Sequence, residues 1–189
     1  MNRRSIIVLP HPNLRKRSQK VRDFNQDLET LYQSMMAAAL DWENHREHEL
    51  GVALAAVQVN DLRRVIIVRS DFDNKDNRDF LVFVNPKVIR LEGEQVEDYE
   101  GCLSVPDIYG KVKRYNKVKI KAFDIDGREF RLSADGFLAR VLQHEIDHTE
   151  GKLFVDYIKG KPDAFFRLDE DGKLTAVDYG SLDTARLFR

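Results

Sequence analysis

Ser133-Ala134-Asp135-Gly136-Phe137-Leu138-Ala139-Arg140-Val141-Leu142-Gln143-His144-Glu145-Ile146-Asp147-His148-Thr149-Glu150-Gly151 reads as one helix that carries its chemistry inward. Ser133 suits the N-cap, and Gly151 suits the position just past the C-terminus. Phe137, Val141, His144 and His148 recur at i, i+4, i+7 and i+11, so both imidazoles continue an apolar stripe that faces the core. Rings four residues apart point the same way and can share one metal ion. Glu145 lies about 100° further round the helix, beside the open coordination position of such an ion, where a general base belongs. The plainer alternative is a core helix whose two histidines are only hydrogen-bonded. The context of His144-Glu145-Ile146-Asp147-His148 favours a hydrolytic metal site over it.

Catalytic metals of this kind usually carry three protein ligands and a water, so one ligand must come from elsewhere in the chain. A third histidine six residues after His148 would mark a metzincin, but Phe154 stands there although Gly151 fits the extended motif. A downstream glutamate would make a thermolysin-like site, and Glu170 is at a tolerable distance. It falls in Asp169-Glu170-Asp171-Gly172, which reads more simply as a solvated turn. Cys102, the only cysteine, lies in Glu100-Gly101-Cys102-Leu103-Ser104-Val105-Pro106 between two strand-like stretches. A lone cysteine is commonly a small buried residue, but beside two helical histidines a thiolate is a strong third ligand for a divalent ion. His45 and His48 also stand at helical spacing, though near an expected helix end where solvated side chains are the rule.

Taken together these motifs resemble peptide deformylase, the metal-dependent enzyme that removes the formyl group from the initiator methionine of new bacterial or organellar chains. Gln143-His144-Glu145-Ile146-Asp147-His148 is similar to the family's third motif and Glu100-Gly101-Cys102-Leu103-Ser104 to its second. Gly51-Val52-Ala53-Leu54-Ala55-Ala56-Val57-Gln58 is similar to its first. They occur in the family's order and at family-like spacing, and the similarity runs from about Leu9, through Pro12-Asn13-Leu14-Arg15, to about Ile158.

The resemblance implies a role for each matching residue. Cys102, His144 and His148 would hold one divalent ion, ferrous iron in the native enzyme, with zinc, nickel or cobalt also accepted by a mixed thiolate and imidazole set. Such an ion depresses the pKa of its bound water toward neutrality and so provides hydroxide as nucleophile, while Glu145 acts as general base and then returns the proton to the departing amine. The Gln58 amide and the backbone N–H of Leu103 would meet the charge growing on the formyl oxygen. The N-formylmethionyl peptide would lie as an added strand against Gly51, Val52, Ala53 and Gly101. Its methionine would enter a pocket lined by Val52, Phe137, Val141 and the face of His144, apolar residues that would serve equally well as ordinary core.

Four positions depart from the family pattern. Ala53 replaces the second glycine of the first motif, and its methyl group could press on a substrate backbone. Val57 stands for a usual proline, Asn60 for a usual glycine and Thr149 for a common leucine. All four spare the ligands, Glu145 and the oxyanion donors, so they bear on efficiency rather than reaction type. A broader metallopeptidase and a catalytically weak metal-binding relative are the rival readings.

With 189 residues, 42% hydrophobic and 33% charged, the chain is expected to form a single domain spanning 1–189, with 160–189 as a C-terminal extension. A net charge of −1 argues against specific DNA binding. The short basic clusters Arg3-Arg4 and Arg15-Lys16-Arg17 read as a solvated face, with transient ribosome contact as the alternative. The apolar run Ile6 to Leu9 is too short to span a membrane, and one cysteine cannot form an internal disulfide. A cytoplasmic monomer is the expectation.

The fold class expected is α+β, antiparallel sheets surrounding the central motif-bearing helix, with a long N-terminal helix from Asp23 to about His48. Phe24, Leu28, Leu31, Met35 and Ala39 give that helix its stripe. Strands are expected at 64–68, 80–84, 88–91, 118–123 and 129–132, with Asp126-Gly127 turning the last pair and 71–79 as a loop. Residues 166–168 and 173–177 flank an Asp-Gly turn and read as a terminal hairpin, where many bacterial deformylases instead end in a helix.

Overall fold

The computed structural model describes residues 5–46, 48–74 and 76–189; Arg3 and Arg4, one of the basic clusters, lie outside these. Helix α1 runs Gln26–Glu43. It begins where the Asn25 side chain accepts hydrogen bonds from the N–H groups of Asp27 and Leu28, at 3.1 and 3.3 Å. Its buried stripe is Leu28, Leu31, Met35, Ala38 and Ala39. The helix stops short of the expected His48 because its last turn is tied elsewhere. The Glu43 carboxylate accepts from the Gly51 N–H at 3.1 Å and pairs with Arg69, turning the chain back toward β1.

β1 (Ala53–Ala55), β2 (Val65–Arg69), β3 (Phe80–Cys102), β4 (Val105–Phe123), β5 (Glu129–Asp135), β6 (Phe165–Leu168) and β7 (Leu174–Ala176) form one antiparallel sheet. The stretches expected as separate strands at 80–84 and 88–91 are a single strand, kept continuous by register shifts at Val84/Lys87, Val88/Arg90 and Glu92/Gln95. Such irregularities bend a ribbon, and here they let one long β3–β4 hairpin serve two sheet regions. Its lower half carries β2 and β1 on one edge and β5 on the other; its upper half carries β6 and then β7.

Helix α2 spans Gly136–Thr149. Ser133, expected as its N-cap, is instead paired with Lys119 in β5, and Asp135 takes the cap position. Ala139, Val141, Leu142 and Ile146 pack against β1, β2, β4 and β5 in one apolar cluster with Ile66, Phe83 and Ile120. The Cys102 end of the hairpin belongs to a second cluster with Leu14, Val105, Phe154 and Phe165. α2 therefore lies between the two halves of the bent hairpin, with its histidines facing the upper one. Beyond β7 the chain ends in the short helix α3, Thr184–Leu187, whose Leu187 is buried beside Leu9 and Leu14.

Candidate metal centre

Cys102 closes β3 at the tip of the hairpin, and the two histidines arrive from α2. Their ligand atoms all lie within 4.8 Å of one another, and Cys102 Sγ is 3.2 Å from His148 Nε2. Bonds of about 2.0–2.3 Å to a tetrahedral ion place ligand atoms about 3.5 Å apart, so the three donors stand at a spacing one divalent cation fits. Glu170, the competing third ligand, is exposed in the turn between β6 and β7 and is not part of this cluster. Phe154, at the position a metzincin would give its third histidine, stacks on the His144 ring at 6.1 Å and 21°. His45 makes a 2.7 Å contact with the Asp41 carbonyl, and His48 sits at the cavity mouth.

The ligands are held by a buried charged network that their motifs do not reveal. His144 Nδ1 donates to Glu100 Oε2 at 2.9 Å, which leaves Nε2 to face the cysteine. Glu100 also accepts from Arg114 at 2.9 and 3.1 Å and from Arg140 at 2.8 Å. Arg114 pairs in addition with Asp147, itself bonded to the Tyr157 hydroxyl at 2.8 Å. Burial alone would raise the Glu100 carboxyl, but the bonds from His144 and Arg114 outweigh it and hold the group down at about 2. Glu100, Arg114 and Arg140 are only 5%, 5% and 7% exposed, so the cluster is an ion-paired unit inside the protein.

The two histidines lie in opposite fields. Burial lowers the pKa of His144, but the bonds to Cys102 and Glu100 outweigh it and set the group well above its ordinary value. Burial and then repulsion from His144 push His148 well below it. The cleft between Cys102 and His144 therefore favours positive charge, a place that a divalent ion would take in exchange for the proton, while His148 is held neutral as a ligand must be.

Glu145 lines the same cavity, and its Oε2 has no hydrogen-bond partner among the described residues. Burial, opposed by the charge of His144, pushes its carboxyl up to about 7. Gln58 sits in a single helical turn, Ala56–Val59, after β1. Its Oε1 accepts from the Ala55 N–H at 2.8 Å, which turns the NH₂ toward Ser104 Oγ at 3.1 Å and Cys102 Sγ at 3.5 Å. The segment Ile7–Leu9 crosses above, donating to the carbonyls of Gln58 and Ser104 at 2.8 and 2.9 Å, and so ties this turn to the hairpin tip. Asn60, standing for a usual glycine, ends the turn at φ 60, a left-handed conformation asparagine tolerates.

The cavity measures about 310 Å³ and is walled by Val52, Ala53, Gly101, Leu103, Phe137 and Val141. Phe137, expected to face the core with the helix stripe, is 51% exposed and meets Phe72 edge-on at 5.1 Å; it begins the first turn of α2, outside the packed interface. Gly51 does not line the cavity. A side chain there would approach the Ala39 carbonyl to 2.9 Å, so the glycine serves the packing of α1. A side chain at Gly101 would come within 2.6 Å of the Tyr109 ring. The fully buried Arg69 holds the strand edge near Val52 through the Gly51 carbonyl at 3.3 Å and through Glu43. Arg69, Glu100, Arg114 and Arg140 escaped the sequence reading. Arg69 and Arg140 show one signal, charge inside an otherwise apolar strand or helix stretch, whereas Glu100 and Arg114 lie among other charged residues that hide them.

The family model for polypeptide deformylase matches residues 3–163. The chain belongs to the peptide deformylase family. Metal-dependent deformylation of nascent polypeptides is the general function of that enzyme family. The peptide deformylase of Thermomicrobium roseum is 40% identical over 181 residues, 94% of this chain and 98% of that protein. Peptide deformylase 1 of Clostridium perfringens is 44% identical over 144 residues, 76% of this chain and 90% of that one. The crystal structure of a peptide deformylase from Legionella pneumophila superposes with a TM-score of 0.71 at 40% identity, covering 82% of this chain and 85% of that one. Among the described residues no helix is long and apolar enough to cross a membrane.

Proposed function

We propose that residues 1–189 form one deformylase domain that hydrolyses the formamide of N-formylmethionyl peptides, with Cys102, His144 and His148 holding a single divalent ion. Ferrous iron is the native ion in this reading, and the same donors accept zinc, nickel or cobalt. When bound, the ion supplies Lewis acidity toward the attacking water and the formyl carbonyl. Glu145 accepts the proton of that water and delivers it to the amine nitrogen as the C–N bond breaks, a transfer suited to a carboxyl poised at about 7. The Gln58 amide, aimed by Ala55, and the Leu103 N–H at the hairpin tip donate to the oxygen as it gains charge. Val52 and Ala53 on one side and Gly101 on the other receive the peptide backbone. Val52, Phe137 and Val141 take the methionine side chain. Formyl is the smallest acyl group, so crowding beside Glu145 and Cys102 excludes internal peptide bonds.

The observation that carries this reading is the convergence of three ligand atoms within 4.8 Å, with Glu145 on the same cavity. In this reading the protein acts in the cytoplasm, as a monomer in transient contact with the ribosome. In the basic cluster at 15–17, Arg15 pairs with Asp156 at 2.7 Å and Arg17, largely exposed, with Glu150. The test is formate release from a formyl-methionyl tripeptide by protein purified without oxygen and loaded with iron, beside its Glu145→Gln variant. The parent turns over; the variant loses about 10²–10⁴-fold while keeping its metal. Metal retention without formate release by the parent would sink the reading.

A further inference from the structure

The cavity that has Cys102 and Glu145 at its inner end reaches outward to Trp42, Tyr99 and Leu168. Leu168 ends β6, which lies beyond the residues 3–163 matched by the family model. The sheet fixes β6 there. Tyr109 of β4 pairs with Gly101 on one side and with Phe166 on the other, so β6 runs two strand spacings, about 9.6 Å, from that glycine. Phe165 and Phe166 are buried, and the Phe166 ring meets Tyr99 edge-on at 4.9 Å.

The turn joining β6 to β7 is equally well built. Asp169 accepts from the N–H groups of Asp171 and Lys173 at 3.1 and 2.8 Å, and Gly172 takes the left-handed φ of 75. A side chain at Gly172 would come within 3.0 Å of the His48 ring, so this turn touches the loop after α1 across the cavity mouth. Among the charges at this end, Lys111 Nζ lies over the Tyr99 and Phe166 rings at 5.2 and 5.3 Å. Glu49 accepts from Tyr109 and Arg46, and Arg46 also pairs with Asp107 at 2.6 Å. What remains toward the cavity is largely apolar.

An extended peptide alternates its side chains, and each second residue lies about 6.8 Å along the chain. With methionine turned toward Val52 and Val141, the second side chain turns away and the third returns to the cavity wall. Resting on the deformylase reading above, we propose that the C-terminal hairpin adds a subsite to this enzyme: Leu168 packs against the third residue of the nascent chain and selects an apolar one. The hairpin is then a specificity element rather than a stabilising appendage alone.

The experiment compares kcat/KM for formate release from formyl-Met-Ala-Leu, formyl-Met-Ala-Asp and formyl-Met-Ala by the iron-loaded full chain and by its Leu168→Ser and Leu168→Met variants. The parent prefers the leucine substrate over the aspartate one by about fivefold, the scale of part of an apolar side chain leaving water. Leu168→Met keeps that preference, and Leu168→Ser brings it to within about twofold by losing more on formyl-Met-Ala-Leu than on formyl-Met-Ala. A parent without preference, or a preference that survives Leu168→Ser, overturns the subsite. So does an equal loss on all three substrates accompanied by a lower Tm, because the hairpin then acts through stability. Failure of the parent to release formate from any of them would instead remove the deformylase reading on which the subsite rests.

Discussion

The two ends of the cavity are built on different principles. At the inner end the ligands are backed by the buried charges of Glu100, Arg114 and Arg140 and by the half-buried Asp147, with Glu145 Oε2 and His148 Nδ1 left as buried atoms lacking a partner among the described residues. At the mouth much of the lining is apolar, as at Trp42, Leu50 and Leu168, and it is drawn from segments far apart in sequence, the end of α1 with the loop after it and the C-terminal hairpin, which approach each other at His48 and Gly172. The difference teaches where precision is needed. Positioning a proton and a cation takes fixed charge in a low dielectric, whereas gripping a peptide takes apolar surface of the right shape.

The largest effect that would break this comparison comes from Glu100→Gln. It leaves two buried guanidinium groups short of a charge and frees His144 Nδ1, so thermal or denaturant unfolding should show a loss of about 3–5 kcal/mol. Metal titration of whatever remains folded should show affinity reduced about 10–100-fold. A variant as stable as the parent would mean that the inner network is ornamental.

Gln58→Ala separates chemistry from support at the same end. Removing an oxyanion donor costs about 2.7–4 kcal/mol of barrier stabilisation, read as kcat falling with KM and metal content unchanged. A change confined to KM would place Gln58 in substrate binding instead. Ala53→Gly probes the wall between the two ends, where the methyl group of a buried residue meets the path of the substrate backbone. Its kcat/KM should rise by about threefold, the scale of one relieved methyl contact; a fall would show that the alanine methyl packs usefully.

The smallest effect is a titration at the edge of the inner network. Burial, and then the bond to Asp147, push the Tyr157 phenol up to about 12. Its folded pKa lies above its unfolded value of 10, so the contribution to stability is whole below pH 10 and is lost as pH rises toward 12. The side chain is 39% exposed, so the slope is shallow. Ultraviolet titration of the folded protein should show Tyr157 ionising late together with Tyr32 and Tyr109, which burial also raises, and Asp147→Asn should bring one of these late phenols earlier.

Much of the inner end was legible in the chain. His144, His148 and Glu145 declare themselves because helical spacing converts sequence distance directly into direction, and α2 keeps that geometry. Cys102 was reachable only by weighing ligand chemistry, since nothing local joins it to residues more than forty positions away. The β3–β4 hairpin was half read. Residues 93–98 of β3 carry no apolar alternation because both faces of the ribbon are exposed there, and in β4 the buried face includes the charged Arg114, which breaks the apolar run of alternate positions. Phe137 was read as core because periodicity does not say where a helix leaves its packing partner.

Residue chemistry and periods of 3.6 and 2 were enough to pick out the donor types of the candidate metal centre, the carboxyl proposed as its general base and the α+β class. Only the tertiary structure decided that Glu100 would meet Arg114, Arg140 and His144, and that Leu168 would wall a cavity opening from Cys102. Those meetings depend on how register shifts bend one long hairpin around α2. A bend of that kind sums many small backbone choices along β3 and β4, so no single residue encodes it.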